Sequence, residues 1–377
     1  AFQHASLSRT CLPIPPHPRK CIIHPMQNDI YKTDYDYELP EELIAKFPLD
    51  NRTDSQLLIS ANNNFHTHKF TKLIDLVDSD DILVLNETKV NPSRLKLTKN
   101  TGGKVEILVL EMKNRFTAVC LTKGLNKKIK DQQLFSSHFP LKISVLKDLG
   151  DSVEIKFAQD IQHLCNSIGE MPIPPYLNRD SDLIDNDRYQ TVFANEKFQD
   201  STAAPTASLH LDETLLSKIS EKIKVCKLNL SVGLGTFKPL GDTPINESSK
   251  LHSEKFYIPK ETASCINEGI ASGKRIIALG TTTLRALEAA WDDDRKVLKH
   301  GHMSTDLFIF EGFKFNVVNS LITNFHLPQS SLLMLVSAFA GKKLIFDAYQ
   351  YAIENKMRFF SYGDAMIIES CLLYTSP

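Results

Sequence analysis

No Cys-x-x-Cys pair, no complete glycine-rich nucleotide fingerprint, no bilayer-length apolar run and no marked surplus of either charge occur in this sequence. Its seven cysteines (Cys11, Cys21, Cys120, Cys165, Cys226, Cys265 and Cys371) are scattered, and no histidines stand beside them at ligand spacing. That pattern argues against structural zinc and against a disulfide framework, and it fits a reducing cytoplasm. The longest apolar run, Leu332–Ala340, is about half of what crosses a bilayer and ends at Gly341 and two lysines. A buried helix is expected there, and no membrane association. Lysine plus arginine number 44 against 45 aspartate plus glutamate. Binding to a polyanion must then come from a local basic face, because the whole-molecule charge offers none.

What is present is globular material: 42% hydrophobic residues over 377 positions fill the cores of two or three domains. Residues 1–28 hold no acidic residue, and Arg9, Arg19 and Lys20 stand among histidines and prolines. A transit peptide would show amphipathic periodicity, which this stretch lacks. Residues 1–28 are therefore expected to be a non-native or disordered extension, and 370–377 an unstructured tail.

Between those ends the periodicity changes character twice. A short capped helix over Pro40–Lys46 and strands at Gln56–Ile59 and Asp81–Leu85 are expected first. Short alternating segments come next, at Arg94–Thr98, Val105–Glu111, Phe116–Leu121, Leu141–Leu146 and Ser152–Phe157, punctuated by Gly102, Gly103, Gly124 and Gly150. Such spacing belongs to a small barrel or sandwich. After the proline-rich Met171–Tyr176, helices are expected from Asp212, from Lys260 to a stop at Gly273, over Thr281–Trp291, and over Ser330–Asn355 with a break near Gly341. Strands alternate with them at Val225–Val232, Arg275–Leu279, Leu307–Phe310, Phe315–Ile322 and Ala365–Ile368. The economical architecture is one discontinuous α/β domain, 29–90 and 161–369, interrupted by a β insertion at 91–160.

Three polar or glycine-rich segments sit at the ends of apolar elements, where open α/β sheets place their sites. They are Ala203–His210, Ser231–Phe237 and Ala278–Arg285. In the third, a strand ends at Gly280 and a helix starts among Thr281, Thr282 and Thr283, so free N–H groups and a hydroxyl cap favour an anion; an ordinary capped helix would look the same. Gly233 and Gly235 resemble half of a dinucleotide fingerprint, but the third glycine is missing and Lys238-Pro239 breaks any subsequent helix. His210, His252 and His326 lie at polar–apolar junctions and suit proton transfer at neutral pH, without metal-ligand spacing. Arg358–Asp364 packs a cation, three rings and a carboxylate into seven residues, a set that stacks on a purine and reads its edge or, more plainly, packs a core. Lys89, Arg94, Lys96, Lys99 and Lys104, then Lys123, Lys127, Lys128 and Lys130, form the one marked basic concentration, either a solvated sheet face or a phosphate-tracking surface.

At these segments the chain resembles the S-adenosylmethionine:tRNA ribosyltransferase-isomerase family of queuosine biosynthesis, from about Tyr35 to Ile368. The resemblance is carried by Tyr37–Pro40, Asn86–Arg94, Gly102–Glu106, Gly169–Tyr176, Arg188–Val192, Ala203–His210, Gly233–Phe237, Gly280–Arg285, Thr323–Pro328, Met334–Gly341 and Arg358–Met366. It implies an α/β domain carrying an inserted β-barrel. It also implies S-adenosylmethionine as a ribosyl donor, 7-aminomethyl-7-deazaguanine at the wobble position of a tRNA as acceptor, and epoxyqueuosine-tRNA, adenine and methionine as products. A cytoplasmic monomer without a metal is expected.

The site expectations rest on the segments and the resemblance together. His210 or His326 would be the general base, and Asp364 or Glu254 would orient the amine or protonate adenine. Thr206, Gly233, Gly235, Thr236, Gly280, Thr281, Thr282, Thr283 and Asn324 would bind S-adenosylmethionine, with the helix start at Gly280 on its carboxylate. Lys89, Arg94, Lys96, Lys104, Arg285, Arg358, Phe360 and Tyr362 would meet the RNA. Three positions depart from the family pattern: Ser208 for glycine, Ser231 for histidine and Lys89 for arginine. Ser231 removes a candidate base, Lys89 keeps charge without bidentate geometry, and Ser208 adds a Cβ where a positive φ is expected. Two other readings stay open. A non-catalytic or impaired tRNA-binding homologue would show steep salt dependence and release nothing, and an S-adenosylmethionine-dependent tRNA methyltransferase would yield S-adenosylhomocysteine.

Overall fold

The structure, a computed structural model, describes residues 29–61, 64–233, 240–246 and 249–370. The extension 1–28 and all of the tail but Ser370 lie outside them.

Four wholly or largely apolar runs make the middle of a nine-stranded sheet. Lys224–Leu230, Ile82–Asn86, Ile276–Leu279 and Ser320–Asn324 lie side by side and parallel. Both faces of the last three are buried, while Lys224–Leu230 leaves Lys224 and Lys227 exposed, and alternate residues serve opposite cores. Ile82, Val84, Ile276 and Ala278 join one cluster, whereas Leu83, Leu85, Ile277 and Leu279 join the other. Ala365–Glu369 continues the sheet antiparallel to Ser320–Asn324, with Gln56–Ala61 and the edge strand Asn64–Lys69 beyond it. At the other edge stand Glu254–Ile258 and Gly301–Thr305, both antiparallel. Helices Lys260–Ala271, Thr281–Ala290, Ser331–Ala340 and Lys342–Glu354 surround the larger core, with the expected break at Gly341.

The insertion is a closed six-stranded antiparallel barrel. Its strands are Arg94–Lys99, Lys104–Asn114, Thr117–Lys123, Val153–Phe157, Pro140–Asp148 and Asp131–Phe135, and pairing of the first with the last closes it. Leu95, Leu97, Val105, Ile107, Leu134 and Leu141 fill the interior at the period of two that their strands require. Helix Ile161–Ile168, capped by the Asp160 carboxylate on the His163 N–H, packs Ile161, Leu164 and Cys165 against it. The α/β unit with an inserted barrel is thus what the sequence led one to expect.

Several elements differ from expectation. Pro40–Lys46 is only a 3-10 turn, Glu41–Leu43, because Leu43 and Ala45 give their backbone groups to Phe359 instead of a helix. Leu307–Phe310 is not a strand. Phe308 and Ile309 are buried core residues without ladder partners, and the Leu307 carbonyl accepts from Arg285 Nε. Phe315–Ile322 shortens to a strand beginning at Ser320. Asp131–Phe135, Glu254–Ile258 and Gly301–Thr305 form strands that the apolar pattern did not mark.

Candidate active site

Parallel strands bring their carboxyl ends to one edge of the sheet, and the segments leaving those ends meet there. Val232, Gly280 and Asn324 stand at or just past the ends of three of the four central strands. Phe360 and Ser361 reach the same edge because Ala365–Glu369 runs the opposite way. Together with Thr206, Thr281, Thr282, Thr323, His326 and Tyr176 they line a cavity of about 70 Å³. Apolar walls come from Val232, Phe325, Leu327 and Leu332.

A hydrogen-bonded chain fixes the polar wall. Thr206 Oγ1 donates to Asn324 Oδ1 at 3.0 Å, and Asn324 Nδ2 donates to His210 Nε2 at 3.0 Å and to the Asp364 carbonyl at 3.3 Å. His210 therefore sits behind Asn324, stacked on Phe70 with 4.9 Å between ring centres. His326 lines the cavity itself, with Nε2 3.0 Å from Thr323 Oγ1 and its backbone held by Tyr37 and Tyr349. Burial depresses both imidazoles, from an ordinary 6.5 to about 3, with Arg358 and Arg52 adding to the effect on His210. Both rings are neutral at pH 7.

Opposite them, Gly280 takes φ +91° and ψ 150°, a conformation that residues with a Cβ rarely adopt, and so turns the chain from strand straight into helix. The expected hydroxyl cap is absent: no side chain caps this helix, and Thr283 Oγ1 donates back to the Leu279 carbonyl. The first-turn N–H groups are thus left uncapped by any side chain, the arrangement that suits an anion. Asn86 Nδ2 donates to Thr282 Oγ1 at 3.3 Å, and its amide also holds Leu230 on both backbone groups.

Other expected site residues take structural places. Asp364, 1% exposed, accepts the N–H groups of Gln56 and Arg358 at 2.7 Å each, and burial still pushes its carboxyl above the usual range. It closes the Arg358–Asp364 loop that presents Phe360 and Ser361. Arg358 donates to the Phe47 carbonyl, and Tyr362 is buried with its hydroxyl on Asp185. Arg285, expected to meet RNA, is 3% exposed and ion-paired with Glu254, which also accepts the Gly233 N–H at 3.1 Å. Neither lines this cavity; Glu254 lines the neighbouring one instead.

Lys89 pairs with Glu196, and Lys96 with Glu170 and Asp180, while Arg94 lies 3.5 Å from Glu106 and donates to the Ile173 carbonyl. Lys104 is exposed and carries no ion pair among the described residues. Ser208 lies in a 3-10 turn without a positive φ, so the expected strain does not arise there. Gly235 and Thr236 lie outside the described residues. Tyr176, Ser361 and Asn86 are wall or support residues that composition and spacing did not single out. The Tyr176 hydroxyl meets Ser361, and its ring lies 4.8 Å from Phe360.

A second cavity of about 540 Å³ adjoins the first, and Val232 lines both. One wall is the barrel, from Asn91 and Ser93 to Val109–Met112; the other is the sheet edge around Asn229, Gly233, Tyr257 and His302.

The model of the family described as queuosine biosynthesis protein matches residues 32–368, across barrel, sheet and both cavities. The chain belongs to that family. Relatives named S-adenosylmethionine:tRNA ribosyltransferase-isomerase match over nearly their whole lengths. One from Acinetobacter baumannii is 44% identical over 339 residues, covering 89% of this chain and 98% of the relative. One from Trichlorobacter lovleyi is 40% identical over 341 residues, 89% and 98% respectively. A solved S-adenosylmethionine tRNA ribosyltransferase from Thermotoga maritima is 31% identical, covering 89% of this chain and 99% of that one at a TM-score of 0.49. In this member of the family, none of the described helices is long and apolar enough to cross a membrane. No group of three histidine, cysteine, aspartate or glutamate residues among the described residues stands close enough to hold a metal.

Proposed function

We infer that this chain transfers and isomerises the ribosyl moiety of S-adenosylmethionine onto 7-aminomethyl-7-deazaguanine at the wobble position of tRNA, giving epoxyqueuosine-tRNA, adenine and methionine. One observation carries the site assignment: Thr206, Gly280–Thr282, Asn324 and His326, far apart in sequence, line one cavity at the carboxyl edge of the sheet. The family match and the relatives' shared name carry the reaction.

The residues fit the donor in charge and shape. The uncapped start of helix Thr281–Ala290 suits its carboxylate, and the apolar wall suits its uncharged surface. The first cavity alone is smaller than the few hundred Å³ of an ordinary small-molecule site, so one end of the donor occupies it and the ribose extends past Val232. The sulfonium of S-adenosylmethionine acidifies its neighbouring ribose carbon. His326, neutral and on the wall, takes that proton, and His210 is a positioning residue that acts through Asn324. A cytoplasmic monomer agrees with a tRNA substrate and forms part of the same reading.

Incubating the protein with S-adenosylmethionine and tRNA carrying the precursor base should release free adenine. Release of S-adenosylhomocysteine instead would favour a methyltransferase. His326→Ala should lower turnover by roughly 10² or more while leaving donor affinity near wild type. His210→Ala should weaken donor affinity as well, because Asn324 loses its anchor. Wild-type turnover in His326→Ala would remove that residue from the mechanism.

A further inference from the structure

The second cavity has one wall with an unusual order. Strand register places Asn229 opposite Tyr257 and Tyr257 opposite His302, so the three side chains form one transverse row on one face of the sheet. The Tyr257 and His302 ring centres are 4.5 Å apart with planes 32° from parallel. Phe198, from the loop before Ser201, extends the row on the other side at 6.0 Å and 34°. Two residues further along, the Ser231 N–H donates to the Lys255 carbonyl, and Lys255 stands opposite Ser304. The other face of the same strands sends Leu230 and Phe256 into the main core.

Rings packed over a core need no second explanation, but His302 is exposed and Tyr257 half-buried, and both look across the cavity towards the barrel. Asn229 completes the wall. It is 5% exposed, yet its Nδ2 has no hydrogen-bond partner among the described residues. A buried amide donor left unpaired is costly, and a ligand that brings an acceptor removes the cost. Tandem rings with a buried amide beside them suit a flat heterocycle with acceptors on its edge. Lys255 Nζ lies 2.6 Å from the Glu111 carboxylate, an exposed link between sheet edge and barrel. Past Val232 lies the cavity assigned to the donor, so a base here would meet the ribose.

We propose that the acceptor nucleobase, extruded from the anticodon loop, is held in this second cavity, stacked along the Phe198–Tyr257–His302 row with an acceptor edge on Asn229. This rests on the tRNA-acceptor reading above. It adds a place for the base and the residues that select it. An extruded base gives up its stacking in the RNA, and the ring row returns that stacking inside the protein. The base's own bonds remain intact until the donor's ribose is in place.

The test uses the full chain and two anticodon stem-loop RNAs, one with 7-aminomethyl-7-deazaguanine at the wobble position and one abasic there. Wild type should bind the first about tenfold more tightly or better, the usual worth of a stacked base. Tyr257→Ala and Asn229→Leu should each remove most of that preference, with S-adenosylmethionine affinity unchanged. His302→Ala, at an exposed position that keeps the fold, should reduce the preference severalfold even if Tyr257→Ala fails to fold. A wild type indifferent to the base, or a preference that survives in Asn229→Leu and His302→Ala, would overturn the proposal. Adenine release is measured alongside. A base preference that these variants abolish, in a wild type releasing no adenine, would keep the base site and sink the transfer reaction; adenine release with an insensitive preference would do the reverse.

Discussion

A histidine in water is half protonated near pH 6.5, whereas His210 and His326 are held near 3 by burial. Well above pH 6.5 neither folded nor unfolded chain protonates them, and their contribution to stability is complete. As pH falls from 6.5 towards 3, the unfolded chain takes up protons that the folded one refuses, so stability is lost over that window. The loss steepens as the unfolded rings fill with protons. Urea unfolding of wild type and of the double variant His210→Gln, His326→Gln should therefore diverge in slope between about pH 6.5 and pH 5. Equal slopes would mean that the rings are protonated, or solvated, in the folded state. At the same scale, Asn324 shows why the site was only partly legible. Asn324 was recognisable as a polar residue at the end of an apolar strand, but that it bridges Thr206 and His210 depends on chain brought from far away.

Among the elements, the turn from strand Ile276–Leu279 into helix Thr281–Ala290 decides most. At Gly280 an added Cβ would find ordinary space, 3.7 Å from Ala207 Cβ, so any penalty comes from its φ of +91°. Gly280→Ala should cost about 1–3 kcal/mol of stability, read as a lower melting temperature, and should weaken donor binding by tilting the helix start. Unchanged stability with lost binding would show that the strain is relieved by moving the helix. The strands that feed the site were legible because burial on both faces demands unbroken apolar runs such as Ile82–Leu85. Glu254–Ile258 and Gly301–Thr305 were not, because they bury only one face: the first is paired on both sides and the second is the edge strand beyond it. Their other face carries Lys255, Tyr257, His302 and Ser304, which read as loop chemistry until a cavity stands beside them.

At the level of the whole molecule, the near-zero net charge leaves RNA binding to local cations, and most of the expected ones are already paired. Lys104, Lys123, Lys128 and Lys130 are exposed without ion pairs among the described residues. Lys104 and Lys123 lie near one barrel end, ~17 Å and ~10 Å of strand from the second cavity's wall at Val109. Replacing Lys104 and Lys128 by alanine should weaken tRNA binding uniformly and lower the slope of log affinity against log salt by about one for each phosphate no longer neutralised. An unchanged slope would place the backbone on another face. Composition, periodicity and the turn glycines by themselves determined an α/β unit with a β insertion, the buried central strands, and the polar segments after them. Those are local consequences of which residues avoid water and which backbone angles need glycine. Tertiary structure alone decided that these segments share one cavity, that Asp364, Arg285 and Tyr362 hold the fold from within, and that the barrel closes a second cavity beside the first. Such outcomes depend on strand order and on contacts between residues hundreds of positions apart, and no period in the chain encodes them.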